Sequence, residues 1–204
     1  MIAVLFALLL TTLAGCAITR LMDRELRGAA FLGAAILVGC GYAALMMFLL
    51  TVVHIPWSRA ALMIVLLLPL GLLLRVGTGF SRSRPAEAGR HTFHPIDAIT
   101  LLLILGHAVF ATWSRMYEWD WFGIWGLKAR TFFDLRGIDW HFIQTNISHP
   151  DYPLLAPLLI DLPSVLRRGW EDRWVGLVYT ALCVGFSRRR CAESLAFRRG
   201  RLKF

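Results

Sequence analysis

Apolar residues in this chain come in blocks, without the 3.6-residue stripe of a soluble amphipathic helix or the alternation of a half-buried strand. The blocks run over about 2–18, 29–53, 60–74, 96–113, 153–166 and 174–186. The second is long enough to cross a bilayer with some tilt, since a span needs roughly 20 apolar residues. The third is short but unbroken. The fifth contains Pro157, Pro163 and Asp161, which predicts a kinked, marginal span. A turn at His54–Arg59, with Trp57 placed for a membrane interface, separates two blocks, and longer polar stretches cover 75–95 and 114–153. The pattern predicts an all-α integral membrane protein with about 5–6 transmembrane helices.

Composition agrees. Hydrophobic residues make up 57% of the 204 positions and the mean hydropathy is +0.60, well above a soluble domain. The net charge of +9 is carried by arginines in short clusters between the blocks and at the C-terminus. That distribution fits cytoplasmic loops and anionic lipid and argues against a nucleic-acid partner. Arg20, Arg24 and Arg27 follow the first block, Arg75, Arg82, Arg84 and Arg90 the third, and Arg167, Arg168 and Arg173 the fifth. Alternate loops of this kind are expected on the cytoplasmic side, which puts His54–Arg59 and 114–153 outside.

Leu13-Ala14-Gly15-Cys16 is similar to a lipoprotein cleavage box, but Met1-Ile2-Ala3-Val4 lacks the positive start of a signal peptide, so the first block reads as an uncleaved span. Cys16, Cys40, Cys183 and Cys191 have no metal-ligand spacing and read as packed thiols. His107, alone inside the fourth block, reads as a packed or hydrogen-bonded side chain.

The stretch 114–153 carries the chemistry. On a helical wheel from Trp121 to Leu135, Trp121, Phe122, Ile124, Trp125, Ala129, Phe132, Phe133 and Leu135 fill one arc, opposite Arg130, Thr131 and Asp134. This predicts an amphipathic helix lying in the interface. Lys128 falls inside the apolar arc. It either snorkels to lipid phosphates or aims a cation at a phosphate held at the surface. Glu118 and Asp120 precede this helix, and His149-Pro150-Asp151-Tyr152-Pro153-Leu154-Leu155 follows it, so acids at both ends are placed to converge on one site.

Trp119-Asp120-Trp121 with Trp125 and Lys128, followed by Asp151-Tyr152-Pro153-Leu154-Leu155, resembles the GT-C superfamily of membrane glycosyltransferases. That superfamily includes the protein O-mannosyltransferases and the bacterial aminoarabinose transferases. The resemblance covers about 96–185. It implies transfer of a sugar from a polyprenyl-phosphate carrier to an acceptor at the outer face of a bacterial plasma membrane. On it Asp120 is the catalytic base or acceptor-orienting carboxylate, and Asp151 the second acid. Many members have adjacent acids in the first loop; here Glu118 and Asp120 flank Trp119, so the base is one of these two. Lys128 and Arg130 are the candidate cations for the leaving phosphate, and Trp125 and Tyr152 offer faces to a sugar. A divalent cation is compatible with this chemistry but not required by the sequence, and no protein partner is indicated.

The chain divides into a three-span region with its cytoplasmic loop (1–95), the GT-C-like region (96–186) and a basic tail (187–204) expected to be disordered or aberrant. Family chains are longer and have more spans, so this one reads as an N-terminal portion, truncated or frame-shifted and then inactive. Alternatively, the sixth block does not cross. A different class, a non-enzymatic assembly subunit or carrier of lipid-linked intermediates, also fits the spans. A transporter is expected to show broken helices in matching halves, and no inverted repeat is visible.

Overall fold

The computed structural model describes residues 1–76, 95–113, 121–145 and 149–187, and every regular element among them is helical. In chain order these are α1 (Ile2–Met22), α2 (Gly28–Val52), α3 (Arg59–Val76), α4 (Pro95–Trp113) and a π-helical turn at Trp121–Trp125. That turn runs into α5 (Gly126–Leu135), and α6 (Trp140–Ile143), α7 (Leu155–Arg167) and α8 (Gly176–Ser187) follow. Among the described residues α1, α2 and α3 are long and apolar enough to cross a membrane. Their apolar residues have no polar face to oppose, so large side chains such as Leu9, Leu45 and Leu68 stay exposed, as on a lipid-facing surface.

Shape, more than hydrophobicity, fixes how α1 meets α2. A Cβ built on Gly15 would lie 1.8 Å from the Ala35 carbonyl oxygen, and one on Gly39 would lie 2.0 Å from the Thr11 carbonyl oxygen. The two backbones therefore touch at these glycines, the small-residue contact that lets membrane helices approach closely. Gly15 belongs to the stretch similar to a cleavage box, and here it serves packing. Val4, Ala7, Leu10, Ala43 and Met47 extend the same buried seam.

The hairpin gives the bundle two ends. Arg20, the α1–α2 connection and Arg75 mark one; the α2–α3 turn marks the other. Trp57 is buried at that second end and not placed at an interface as its position in a short turn suggested. Its indole nitrogen donates to the Met47 carbonyl at 2.9 Å, its amide to the Arg136 carbonyl at 2.7 Å, and its ring meets Phe132 edge-on. The Ile138 amide bonds the Thr51 hydroxyl at 3.2 Å, and Trp140 packs edge-on against Phe48. So the chain from α5 to α6 caps the Trp57 end.

The structure also corrects the path of the fifth block. The Glu171 carboxylate lies 2.9 Å from the Arg167 guanidinium and 3.7 Å from the Met1 nitrogen. Met1 caps the start of α1 and Arg20 lies in its last turn, roughly 30 Å apart at 1.5 Å per residue. Arg167 and Glu171 therefore sit at the Trp57 end, away from Arg20, whereas the sequence grouped Arg167, Arg168 and Arg173 with Arg20. Helix α7, 13 residues long, packs among α5, α1 and α2 and returns the chain to the end it came from. Helix α8 then runs the other way: Gly185 sits against Leu37 and the Gly33 carbonyl, near the start of α2. Ser187, the last described residue, is thus at the Arg20 end. His107 of α4 joins α8 through a 2.8 Å hydrogen bond with Thr180.

Candidate functional site

Sequence geometry at the start of α5 dictates how its side chains gather. A Cβ on Gly126 would come within 2.7 Å of the Trp121 ring, so glycine there lets the indole fold across the turn. Two positions on, Lys128 points inward and is fully buried. Its ammonium donates to the His149 carbonyl at 2.8 Å and lies 6.0 Å from the centre of the Tyr152 ring. Lys128 therefore does not snorkel; it ties α5 to the chain that leads into α7. One hydrogen bond leaves two ammonium protons for another acceptor.

His149 adopts a left-handed backbone (φ 50°) and opens a turn closed by the Tyr152 amide on the His149 carbonyl at 3.1 Å. That turn presents Tyr152 nearly parallel to both Trp125 and His149, each with a ring separation of 5.4 Å. Asp151 is exposed on the same turn. Burial pushes the Lys128 ammonium below its ordinary value, and the nearby Asp151 carboxylate acts in the opposite direction. The result is a half-open cluster with a sequestered cation, an exposed carboxylate and aromatic faces.

Of the residues singled out in the sequence, Lys128, Asp151, Tyr152 and Trp125 come together here. Arg130 does not join them. It is exposed, paired with Asp134 at 2.9 Å, and its guanidinium lies 5.3 Å from the Trp170 ring on another side of α5. Trp121 and Phe133 meet Trp170 there as well. Glu118 and Asp120 lie outside the described residues. Among the described residues no group of three potential metal-ligating side chains converges.

Sequence reasoning missed three contributors. His149 was quoted only as part of a motif, yet it supplies both the carbonyl for Lys128 and a ring for the stack; its place before Pro150 gave no such signal. Glu171 is a buried junction that accepts from Arg167 and from the amides of Arg173 and Trp174 while its own amide donates to the Ser164 hydroxyl. Its spacing ahead of an apolar block is a readable helix-start signal. Trp170, between two apolar blocks, gathers Trp121, Phe133 and Arg130 around its ring. Beside the cluster, Pro153, Leu155 and Ala156 face Tyr179 and Leu182 of α8 across a small apolar cleft. No family model, curated protein or solved structure matches this chain.

Proposed function

We propose that this chain acts at the membrane surface on a sugar carried by a polyprenyl phosphate, as a GT-C-like glycosyltransferase or a portion of one. The observation that carries the reading is the cluster of buried Lys128 with exposed Asp151 and the Trp125–Tyr152 stack. A sequestered ammonium with free donors suits a phosphate, because charge-assisted bonds gain strength where water is excluded. Flat aromatic faces suit the apolar side of a sugar ring. The apolar cleft from Pro153 to Leu182 is placed to take the first units of the prenyl tail. In this scheme Asp120, Glu118 or Asp151 takes the acceptor proton, Lys128 neutralises the leaving phosphate, and Arg130 binds the headgroup region from outside.

On the same reading α5 lies in the outer interface of a bacterial plasma membrane, and α4 and α8 join α1–α3 as spans, giving five crossings. Arg20, Arg24, Arg27 and Arg75 then share one side, in keeping with a cytoplasmic placement of that end.

The test is turnover of radiolabelled polyprenyl-phosphate sugar by purified protein in vesicles. Asp120→Asn and Asp151→Asn are expected to lower it by about 100-fold or more if they act on the proton, with insertion retained. Turnover absent from the unaltered chain, or undiminished in both variants, counts against the enzyme reading and favours a carrier or assembly subunit.

A further inference from the structure

Asp161, like Glu171, is a buried acid that the transfer chemistry does not use, but unlike Glu171 it has no ion pair among the described residues. It is wholly inaccessible, and neither carboxylate oxygen has a hydrogen-bond partner among the described residues. On α7, Leu159, Leu162 and Pro163 line the contact with Ala7 and Thr11 of α1, Cys40 of α2 and Val178 of α8. At 100° per residue Asp161 projects away from Leu159 and Pro163, toward the side on which α5 packs. Two charges act on it there, Asp134 and Arg136, both at the C-terminal end of α5.

The other packed elements offer little. Besides the Met1 nitrogen held at Glu171, the ionisable groups of α1 are Cys16 and Arg20, toward its far end. Cys40 and Tyr42 lie within α2, His54 just beyond it, and α3 has Arg59 and Arg75 at its ends. On α8 they are Tyr179 and Cys183, and α7 itself adds Arg167 at the Glu171 junction. None of these hydrogen-bonds the acid.

An isolated carboxylate in such a place is far costlier than the neutral acid, because nothing replaces the water it has lost. We propose that Asp161 is a proton-binding site that latches α5 onto the bundle, seated while the acid is neutral and loosened when it ionises. Ionisation breaks the carboxyl O–H bond and passes the proton to water at the Trp57 end. The resulting carboxylate attracts the Arg136 guanidinium, which now rests 4.7 Å from the Phe133 ring. Moving it disturbs the turn where Arg136 holds Trp57 and the Gly137 amide caps α5 on the Phe132 carbonyl. The coupling thus runs from one proton to the seating of the helix that carries Lys128.

Infrared spectroscopy of the full chain in phosphatidylcholine vesicles reads the proton directly. At pH 7 a carboxylic-acid carbonyl band, sensitive to heavy water, should be present and should vanish in Asp161→Asn. Raising the pH should remove the band and speed amide hydrogen exchange at Phe132 and Phe133 with the same midpoint. Asp134→Asn should shift that midpoint down and Arg136→Gln should shift it up. These two variants alter groups at the rim of the cap and keep the test decisive if Asp161→Asn fails to fold. Absence of any such band at pH 7, midpoints that stay fixed or move in the opposite sense, or exchange that ignores the titration would each overturn the proposal.

Discussion

The α1–α2 crossing and the cap formed by residues 121–145 and 149–175 are held by opposite kinds of contact. At the crossing nearly everything is apolar on every side, so burial alone chooses no register; Gly15 and Gly39 choose it by admitting the facing backbone. In the cap the groups that decide the geometry are polar and buried: Lys128 on a carbonyl, Glu171 on a guanidinium and two amides, and Asp161 on no partner among the described residues. A membrane bundle can thus take its orientation from shape and keep its buried charged groups for one end. The difference predicts that steric changes break the first region, while charge changes tune the second.

The largest effect is expected at the crossing. Gly39→Leu should destabilise the chain by about 3 kcal/mol or more, since the side chain has backbone and not a movable tip to displace. Gly41→Ala, two residues on with nothing within 4 Å, should be neutral or slightly stabilising. Denaturation in mixed micelles of both variants checks the pair. Equal losses would mean that the glycines do not set the crossing.

Tyr152→Ala removes both ring contacts and should loosen the cap by about 1 kcal/mol without altering the α1–α2 seam. Hydrogen exchange, slow at Ala35–Gly39 and faster at Gly126–Phe132, would show the split. A smaller effect should follow pH. Because burial lowers the affinity of folded Lys128 for its proton, the unfolded chain binds that proton more tightly. Stability should therefore rise with pH from the lowered value up to 10.5, and Lys128→Met should remove that rise. The least effect is expected at His54, exposed in a left-handed conformation where α2 ends: His54→Gly should stabilise by a few tenths to about 1 kcal/mol.

The first three helices were legible because membrane-spanning helices need little beyond length and apolarity. The expected blocks 29–53 and 60–74 became Gly28–Val52 and Arg59–Val76. The fifth block misled for the same reason: an apolar helix reads alike whether lipid or protein covers it, and only the Glu171 contact with Met1 and Arg167 shows where α7 ends. Trp57 followed a statistical preference of indoles for interfaces, which α5 overrode by covering it. At the site, Lys128, Asp151, Tyr152 and Trp125 were named from one stretch of sequence, because acids and aromatics at both ends of an amphipathic helix are placed to converge. Arg130 was grouped with them although two residues along a helix means about 200° around it, which sends it to Trp170.

The central claim is that the cap forms a phosphate site around Lys128, and its most direct measurement is equilibrium binding of radiolabelled polyprenyl phosphate to the purified chain in vesicles. Saturable binding is predicted, weakened about tenfold or more in Lys128→Met and little changed in Arg59→Met, which alters a cation at the same end but outside the cluster. Binding that is absent, or that falls equally in both variants, would contradict the site and leave only nonspecific attraction between a basic protein and an anionic lipid.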